Sequence, residues 1–355
     1  MDHKFSIVFE HLVGMDSRVK EMLDLCTCEG LDCGHFVGIY GMGGIGKTTL
    51  AREIYGRIYS DFEACTFLEN VREETKSKGL VSLQKILLSK IFIRTEINIH
   101  DLYEGINVIG TRLRNKKVLI VLDDVNEQEQ LEALAGSSGW FGPGSIIIVT
   151  SRDRHLLIRH EVKHIYEAKV LNEDEALKLF SWKAFKKPHL EKNYVDLSME
   201  FVRYANGLPL ALKVLGSSLF GRTPDAWRSA RDKLEAKPNG SIMEILQISL
   251  VGLEETQREL FLDIACFFKG EQVYCIRDTL ESLGHYPDYD IYVLMDKSLI
   301  TIESNGTLWM HDLLEEMGQD NVRCESLQEP GGRSRLWCYK DVMHVLKNDT
   351  VSLQV

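Results

Sequence analysis

The 355-residue chain is acidic, with a formal net charge of −11 and a pI near 5.5, and 44% of its residues are hydrophobic. This charge argues against a nonspecific grip on nucleic acid or on an anionic membrane, because both attract basic proteins. No charged-then-apolar signal segment follows Met1, and the most apolar stretches are too short to span a bilayer. The length predicts two or three compact units.

The eight cysteines are scattered along the chain. Cys26, Cys28 and Cys33 lie close together, but no paired Cys/His cluster completes a tetrahedral metal site with them. We therefore expect reduced thiols in a protein that is cytoplasmic or shared between cytoplasm and nucleus.

The first half of the chain alternates strand and helix signals. Short β-rich runs predict strands over 35–40, 65–69, 117–123, 145–151 and 164–168. Several of these runs are β-branched without polar alternation, which is typical of strands buried on both faces. Helical periodicity lies between them over 47–59, about 81–93 and 102–114. This alternation predicts a parallel sheet with helices on both sides.

Beyond residue 170 the signals are mostly helical. Asn172 and Glu175 have capping-box spacing, and Ala176, Phe180 and Ala184 then share one helix face. Further helical signals cover 195–219, 225–235 and 241–250. These signals predict a second, helical unit.

A third unit is predicted from about residue 239. Helical signals over 256–268, 271–282 and 290–297 lead into two β-rich runs around Asn305-Gly306. That dipeptide predicts a tight hairpin with positive φ at both central residues. Helices followed by one hairpin favour a winged helix, and the polar, turn-rich chain after Arg323 is predicted to be a connector.

The loop "GMGGIGKT" at 41–48 carries the strongest chemical signal. It fits G-x-x-x-x-G-K-[ST], in which backbone N–H groups converge on phosphate oxygens at the start of a helix. Lys47 is expected to neutralise the β- and γ-phosphates, and the Thr48 hydroxyl to bind Mg²⁺. A chance match in a chain this long has a probability of about one per cent. The residues expected to hold the nucleotide here are Gly41, Gly43, Gly44, Ile45, Gly46, Lys47, Thr48 and Thr49.

The run "KVLIVLDDVN" at 117–126 supplies acidic residues at the end of a buried strand. Asp123 is expected to hold Mg²⁺, and Asp124 to orient or deprotonate an attacking water. Alone, the run is also compatible with a solvated acidic turn. Its place about 75 residues after the phosphate loop favours the metal site instead.

Three other residues have weaker signals. Arg152, at the end of "SIIIVTSRD", is compatible with a γ-phosphate contact and equally with a surface ion pair to Asp153. Pro209 is typical of the first turn of an apolar helix, and His311 of a structural histidine. Asp312 is predicted to cap the helix that follows.

In their order, the motifs resemble the NB-ARC nucleotide-binding module of plant intracellular immune receptors with leucine-rich repeats. The phosphate loop is followed by "FLENVRE", "VLIVLDDVN", "SIIIVTSRD", "LNEDEALKLFSWKAF", "GLPLALKVLG", "FLDIACFFKG" and "MHDLLEEMG", across roughly 310 of the 355 residues. "FLENVRE", "FLDIACFF" and Asn126 are similar to the subclass that carries a Toll/interleukin-1-receptor-like (TIR) domain. Ser151 and Leu327 depart mildly from the family, where threonine and proline are more usual.

The resemblance implies an α/β fold in which a P-loop NTPase parallel-sheet domain precedes a small helical subdomain and a winged-helix subdomain. The expected divisions are 1–168, 169–238, 239–323 and a connector at 324–355. The resemblance also implies that Val13 and Gly14 line the adenine pocket, that Pro209 packs on the adenine, and that His311 contacts the β-phosphate of ADP. Because no TIR domain precedes residue 1 and no leucine-rich repeats come before Val355, an isolated module or a truncated gene product is expected.

The leading hypothesis is a switch that binds ADP at rest and ATP, with Mg²⁺, when active. The ATP-bound form would self-associate, and slow hydrolysis would reset it, so the chain is at most a slow ATPase. One alternative is an ordinary ATPase that couples turnover to work, which Asp124 supports. Another is a nucleic-acid-binding regulator, which is disfavoured because "DIYVLMDKSL" has one lysine against two aspartates.

Overall fold

The computed structural model describes residues 12–26, 34–92, 98–235, 242–247, 250 and 253–348. The chain divides into two compact units, Met1–Lys169 and Val170–Val355. None of the helices in the described ranges has both the length and the apolar character needed to cross a membrane.

A five-stranded parallel sheet forms the centre of the first unit. Its strands are β1 (His35–Tyr40), β2 (Ala64–Leu68), β3 (Val118–Val125), β4 (Ile146–Ser151) and β5 (His164–Glu167). They lie in the order β2-β3-β4-β1-β5, and every neighbouring pair is parallel. Each strand begins and ends within two residues of its predicted bounds. The predicted parallel sheet is therefore confirmed.

Helices cover both faces of this sheet. They are α1 (Met15–Cys26), α2 (Lys47–Ile58), α3 (Val71–Lys78), α4 (Leu80–Ile91), α5 (Leu102–Arg112), α6 (Gln128–Ala135) and α7 (Arg154–Arg159). Successive residues of β3 alternate between two apolar clusters, because side chains of a strand point alternately to its two faces. Leu119 and Val121 lie in the cluster with α1 and α2, whereas Ile120 and Leu122 lie in the cluster with the other five helices. Helices α3, α6 and α7 have eight residues or fewer and so show little apolar periodicity in the sequence.

The strand order brings polar strand ends together. β4 lies between β1 and β3, so Thr150 and Ser151 at its end separate the loop after β1 from Asp123 near the end of β3. The carboxyl ends of parallel strands meet at one edge of the sheet, where ligands bind in open α/β folds. This edge is the place to look for the predicted site.

The second unit is mostly helical. Its helices are α8 (Glu173–Phe185), α9 (Val195–Ala205), α10 (Pro209–Leu219), α11 (Pro224–Glu235), α12 (Ile242–Gln247), α13 (Glu255–Asp263), α14 (Val273–Ser282), α15 (Pro287–Asp296), α16 (Asp312–Glu325) and α17 (Tyr339–Asn348). A π-helical turn, Ile264–Phe268, continues α13. The predicted capping box of α8 is confirmed, because Asn172 and Glu175 exchange backbone-to-side-chain hydrogen bonds of 2.9 and 3.1 Å.

The helical signal over 195–219 is interrupted between α9 and α10. Asn206 and Gly207 have φ of +47° and +68°, and Pro209 then begins α10. A Cβ on Gly207 would lie 2.4 Å from the Leu171 carbonyl oxygen, so only glycine fits there. The residue before a proline also disfavours helix, which explains why one apolar stretch forms two helices.

The predicted hairpin is present, but its predicted turn type is wrong. β6 (Thr301–Ile302) pairs antiparallel with β7 (Leu308–Trp309). Within the turn, residues 303–307, only Gly306 has positive φ, at +85°. The Gly306 N–H donates to the Glu303 carbonyl at 2.9 Å, the pattern of a three-residue loop with glycine in the left-handed region. Asn305 instead accepts a hydrogen bond from the Thr307 N–H at 2.9 Å.

The segment after Arg323, predicted to be a connector, contributes buried contacts of its own. Arg335 is only 9% exposed, and its guanidinium pairs with Asp263 and with Glu259, the latter at 2.7 Å. Trp337 packs against the apolar cluster that α13, α15 and the hairpin share. This segment is therefore attached to the body of the second unit.

Candidate nucleotide-binding site

The phosphate loop joins the end of β1 to the start of α2. Gly41, Gly44 and Gly46 have φ of +154°, +75° and +97°, values that side chains disfavour. Gly46 is the N-cap of α2 and offers no side chain, so the first N–H groups of the helix remain available to a ligand in the loop. The Gly41 N–H donates to the Ser151 carbonyl at 3.3 Å, which ties the loop to β4.

Lys47 closes the loop from the first turn of α2. Lys47 is 7% exposed, and its Nζ donates hydrogen bonds to the carbonyl oxygens of Gly41 at 2.8 Å and Met42 at 3.0 Å. A lysine is buried like this only where its ammonium is hydrogen-bonded. The loop thus holds a positive charge at its centre, as phosphate binding requires. Of the other residues expected to hold the nucleotide, Ile45 is buried and Thr49 is half-buried.

Thr48, Asp123 and Thr150 form a hydrogen-bonded cluster beside this loop. The Thr48 hydroxyl donates to the two Asp123 carboxylate oxygens at 2.9 and 3.1 Å. The Thr150 hydroxyl donates to Asp123 Oδ1 at 2.7 Å and accepts from the Asp124 N–H at 2.8 Å. Asp123 is 1% exposed, and burial raises the pKa of its carboxyl although both hydroxyl hydrogen bonds act to lower it.

This cluster fits a magnesium ion. Mg²⁺ prefers oxygen ligands and is bound in nucleotide sites by one or two protein groups together with phosphates and water. The Thr48 hydroxyl and the Asp123 carboxylate provide two such groups side by side, and a cation would remove the cost of burying the carboxylate charge. Across the described residues, no group of three or more His, Cys, Asp or Glu side chains is placed to hold a metal ion. Cys28 and Cys33 lie outside those residues.

Asp124 takes part in a different set of contacts. It has φ of +54° and lies at an irregularity in the pairing of β3 with β4. Its Oδ1 lies 3.5 Å from Arg152 Nε, and its Oδ2 lies 3.2 Å from Arg72 Nε. The carboxylate of Asp153 caps α7 by accepting from the His155 N–H at 2.7 Å. Arg72 was not among the residues predicted from the sequence.

The structure places Val13 and Gly14 immediately before α1. Val13 is 8% exposed, and Gly14 has φ of +68° and accepts a hydrogen bond from the Arg18 side chain. A Cβ on Gly46 would lie 4.0 Å from the Met15 side chain, so the start of α1 lies next to the end of the phosphate loop. The two predicted adenine contacts are therefore close to the loop in the first unit.

Pro209 and His311 belong to the second unit. Pro209 is the first residue of α10, as predicted. His311, not Asp312, is the N-cap of α16, because its Nδ1 accepts from the Leu313 N–H at 3.1 Å. The predicted capping by Asp312 is wrong: Asp312 Oδ1 instead accepts from Lys269 Nζ at 2.7 Å. The acceptor role of Nδ1 also means that a neutral His311 carries its proton on Nε2.

Two protein families match the chain. The NB-ARC domain matches residues 15–190, and the family described as "Disease resistance protein Roq1-like, winged-helix domain" matches residues 254–326. The chain is 41% identical over 348 residues to TMV resistance protein N of Nicotiana glutinosa, an alignment that covers 96% of this chain and 30% of that protein. It is 41% identical over 356 residues to disease resistance protein RUN1 of Vitis rotundifolia, which covers 97% of this chain and 26% of that protein. The chain thus spans between about a quarter and a third of the length of these relatives.

A solved structure supports the fold. The signal transduction ATPase with numerous domains from Pyrococcus horikoshii, which has a tetratricopeptide repeat sensor, matches with a TM-score of 0.56 at 18% identity. The match covers 96% of this chain and 46% of that chain. At this identity the likeness concerns the fold, which is that of a P-loop NTPase, a fold that binds nucleotide, generally with Mg²⁺. The chain belongs to the NB-ARC family of plant disease resistance proteins and combines that domain with a Roq1-like winged-helix domain.

Proposed function

We propose that the chain is an adenine-nucleotide switch that holds ADP at rest and ATP when active, and that slow hydrolysis resets it. The observation that carries the proposal is the contact of the Thr48 hydroxyl with the buried Asp123 carboxylate, at 2.9 and 3.1 Å, beside the phosphate loop. A metal-binding pair of this kind is useful only when a phosphate chain is bound next to it.

In this proposal the first unit grips and senses the nucleotide. Lys47 neutralises the phosphates, Thr48 and Asp123 hold Mg²⁺, and the backbone of Val13 and Gly14 contacts the adenine. Arg152 contacts the γ-phosphate, which distinguishes ATP from ADP. Asp124 orients or deprotonates the attacking water.

The second unit makes the affinity depend on conformation. Pro209 packs on the adenine, and the His311 Nε2–H donates a hydrogen bond to the β-phosphate of ADP in the resting form. A contact that exists in only one arrangement gives ADP a higher affinity for that arrangement. ADP therefore favours the resting form, and its release permits activation.

The chain covers 30% and 26% of the lengths of its two resistance-protein relatives, and we propose that it acts within a receptor of similar length. We propose that in such a receptor, in the cytoplasm or in cytoplasm and nucleus, the ATP-bound module self-associates and brings TIR domains together. Leucine-rich repeats would complete the receptor. The proposal requires no nucleic-acid ligand and no membrane-spanning segment.

The first test is the identity of the nucleotide that co-purifies with the 355-residue chain, by denaturation and anion-exchange chromatography. We expect ADP at close to one equivalent. Lys47→Arg should lose it, because a larger, planar cation cannot take the place of Lys47 among the loop carbonyls. Lys85→Arg, the same change at an exposed position of α4, is the matched control and should retain ADP. Recovery of an empty chain without measurable affinity for ADP or ATP would contradict the proposal.

The rate of ATP turnover distinguishes the switch from an ATPase that couples hydrolysis to work. A switch should stall after about one turnover, because slow release of ADP then limits the rate. Sustained turnover over many cycles by the wild-type chain would favour the ordinary ATPase.

The second-unit contact is tested by Asp312→Val. This change removes one of the two carboxylates that pair with Lys269, the other being Glu315, at the start of α16 next to His311, so ADP should be released faster while nucleotide binding persists. The variant should shift toward the ATP-bound, associating form. Glu316→Val, an acid-to-valine change at an exposed position of the same helix, is the control. Unchanged ADP release and oligomeric state in Asp312→Val would exclude this role.

A further inference from the structure

The carboxylate of Asp124 lies between two arginines. Arg152 approaches one oxygen at 3.5 Å and Arg72 approaches the other at 3.2 Å. The side chains of Arg152, Arg72 and Asp124 are 31%, 19% and 16% exposed, respectively. Ion pairs this far from bulk water are screened less than surface pairs. Each Asp124 oxygen is therefore paired with one arginine, and Arg72 Nε also lies 3.2 Å from Glu73 Oε1.

Arg72 reaches this position because of the strand order. β2 and β3 are neighbours in the sheet, and Arg72 is the second residue of α3, four residues after Leu68, the last residue of β2. Asn70 and Asp124 both have φ in the left-handed region, +50° and +54°. Such values cost energy outside glycine and persist where surrounding contacts hold them. These two left-handed residues lie two positions before Arg72 and at Asp124 itself.

The two ion pairs oppose the role that Asp124 would have in hydrolysis. There the water oxygen forms a bond to the γ-phosphorus as the bond to the β–γ bridging oxygen breaks, and a water proton passes through the base to the phosphate products. A carboxylate paired with an arginine at each oxygen must break one of these contacts before it can turn toward an attacking water.

We propose that Arg72 is a positioning residue that holds Asp124 in an ion pair and thereby slows ATP hydrolysis. The inference rests on the proposed nucleotide switch and adds the reason for its slow reset. Arg152 shares Asp124 with Arg72, so a γ-phosphate that attracts Arg152 leaves Arg72 as the remaining cation on the carboxylate. Hydrolysis then waits for the Arg72 contact to break.

The test compares single-turnover hydrolysis of ATP by the 355-residue chain and by Arg72→Gln. We expect the variant to hydrolyse about tenfold faster, with an ATP affinity within about threefold of wild type. The increase should disappear in Arg72→Gln/Asp124→Asn, because it acts through Asp124. Lys78→Gln removes the same charge from the exposed last residue of α3, where Lys78 pairs with Glu74 at 2.7 Å, and should hydrolyse at the wild-type rate.

A second measurement needs no nucleotide. Thermal unfolding of the nucleotide-free chain should show Arg72→Gln lowering the midpoint by about 2 °C in the wild-type background and leaving it unchanged in the Asp124→Asn background. Equal effects in both backgrounds would mean that Arg72 and Asp124 are not coupled. That result would overturn the proposal whatever the hydrolysis rates.

The other possible outcomes also test the proposal. A wild-type chain that binds no nucleotide overturns this proposal together with the proposed function. Normal binding with an unchanged or slower rate in Arg72→Gln overturns this proposal alone, and a slower rate identifies Arg72 as a group that stabilises the transition state. Should Arg72→Gln fail to fold, Arg72→Lys keeps the charge without the guanidinium geometry. A faster rate in Arg72→Lys supports the proposal, and a rate at or below wild type overturns it.

Discussion

Replacement of Asp123 by asparagine should make the nucleotide-free chain more stable and the Mg²⁺-dependent binding of nucleotide weaker. Asp123 is 1% exposed, and burial of a carboxylate costs several kcal/mol. Hydrogen bonds from Thr48 and Thr150 offset this cost by about 1.5–3 kcal/mol each, because the acceptor is charged. The raised pKa of Asp123 indicates that burial outweighs these two bonds. Asparagine keeps an acceptor oxygen for the hydroxyls and carries no charge.

We expect Asp123→Asn to gain about 1 kcal/mol at pH 7.5, which raises the unfolding midpoint of a unit of this size by about 2–4 °C. The gain depends on pH with a definite sign. A carboxyl whose pKa is raised on folding destabilises the folded chain once pH exceeds that pKa, and has no such effect below its ordinary value of 3.8. The advantage of the variant should therefore shrink as the pH of the assay is lowered toward 4.

Differential scanning fluorimetry with and without ADP and Mg²⁺ measures both effects. Addition of Mg²⁺ to the ADP-bound chain should raise the midpoint of wild type but not of Asp123→Asn, because a ligand stabilises only in proportion to its affinity. Asp153→Asn is the matched control, since Asp153 is an exposed N-cap at the same sheet edge and asparagine caps equally well. A nucleotide-free Asp123→Asn chain less stable than wild type at pH 7.5 would refute the reasoning.

Two further predictions concern the second unit. Arg335→Gln should destabilise it by about 1–3 kcal/mol in urea unfolding, because Asp263 would lose one buried partner and keep His285 at 2.6 Å, whereas the exposed Lys340→Gln should change stability by less than about 0.5 kcal/mol. An equal, small effect of both would show that the buried pair adds nothing. Burial raises the pKa of the Cys266 thiol to about 12, so iodoacetamide at pH 8 should alkylate the exposed Cys275 and leave Cys266 unmodified until the pH approaches 12. Peptide mass spectrometry measures both cysteines in one sample, and rapid labelling of the half-buried Cys266 at pH 8 would contradict its raised pKa.

Local patterns predicted the sheet and the capping box because each depends on few residues near one another. Three of the five strands, β1, β3 and β4, are mostly apolar runs buried along nearly their whole length, and all five strands have bounds within two residues of those predicted. The capping box of α8 is defined by Asn172 and Glu175 alone. The predicted cap of α16 and the predicted turn type at Asn305-Gly306 were wrong, since each depends on tertiary contacts. Lys269, 43 residues before Asp312, takes the carboxylate that could have capped the helix.

The candidate site divides in the same way. Lys47, Thr48 and Asp123 were predictable because a loop motif and a strand end identify them, and the parallel sheet then brings them together. No sequence motif identified Arg72, yet the rule that placed Asp123, that the carboxyl ends of parallel strands meet at one edge of the sheet, also applies to Arg72. It follows the carboxyl end of β2, and β2 is the neighbour of β3. Strand order is the one element that the local patterns lacked, since β2 could have lain at the other edge, beside β5. Once the order is known, a basic residue soon after β2 must be considered as a partner for the acids near the end of β3, and Arg72 is such a residue.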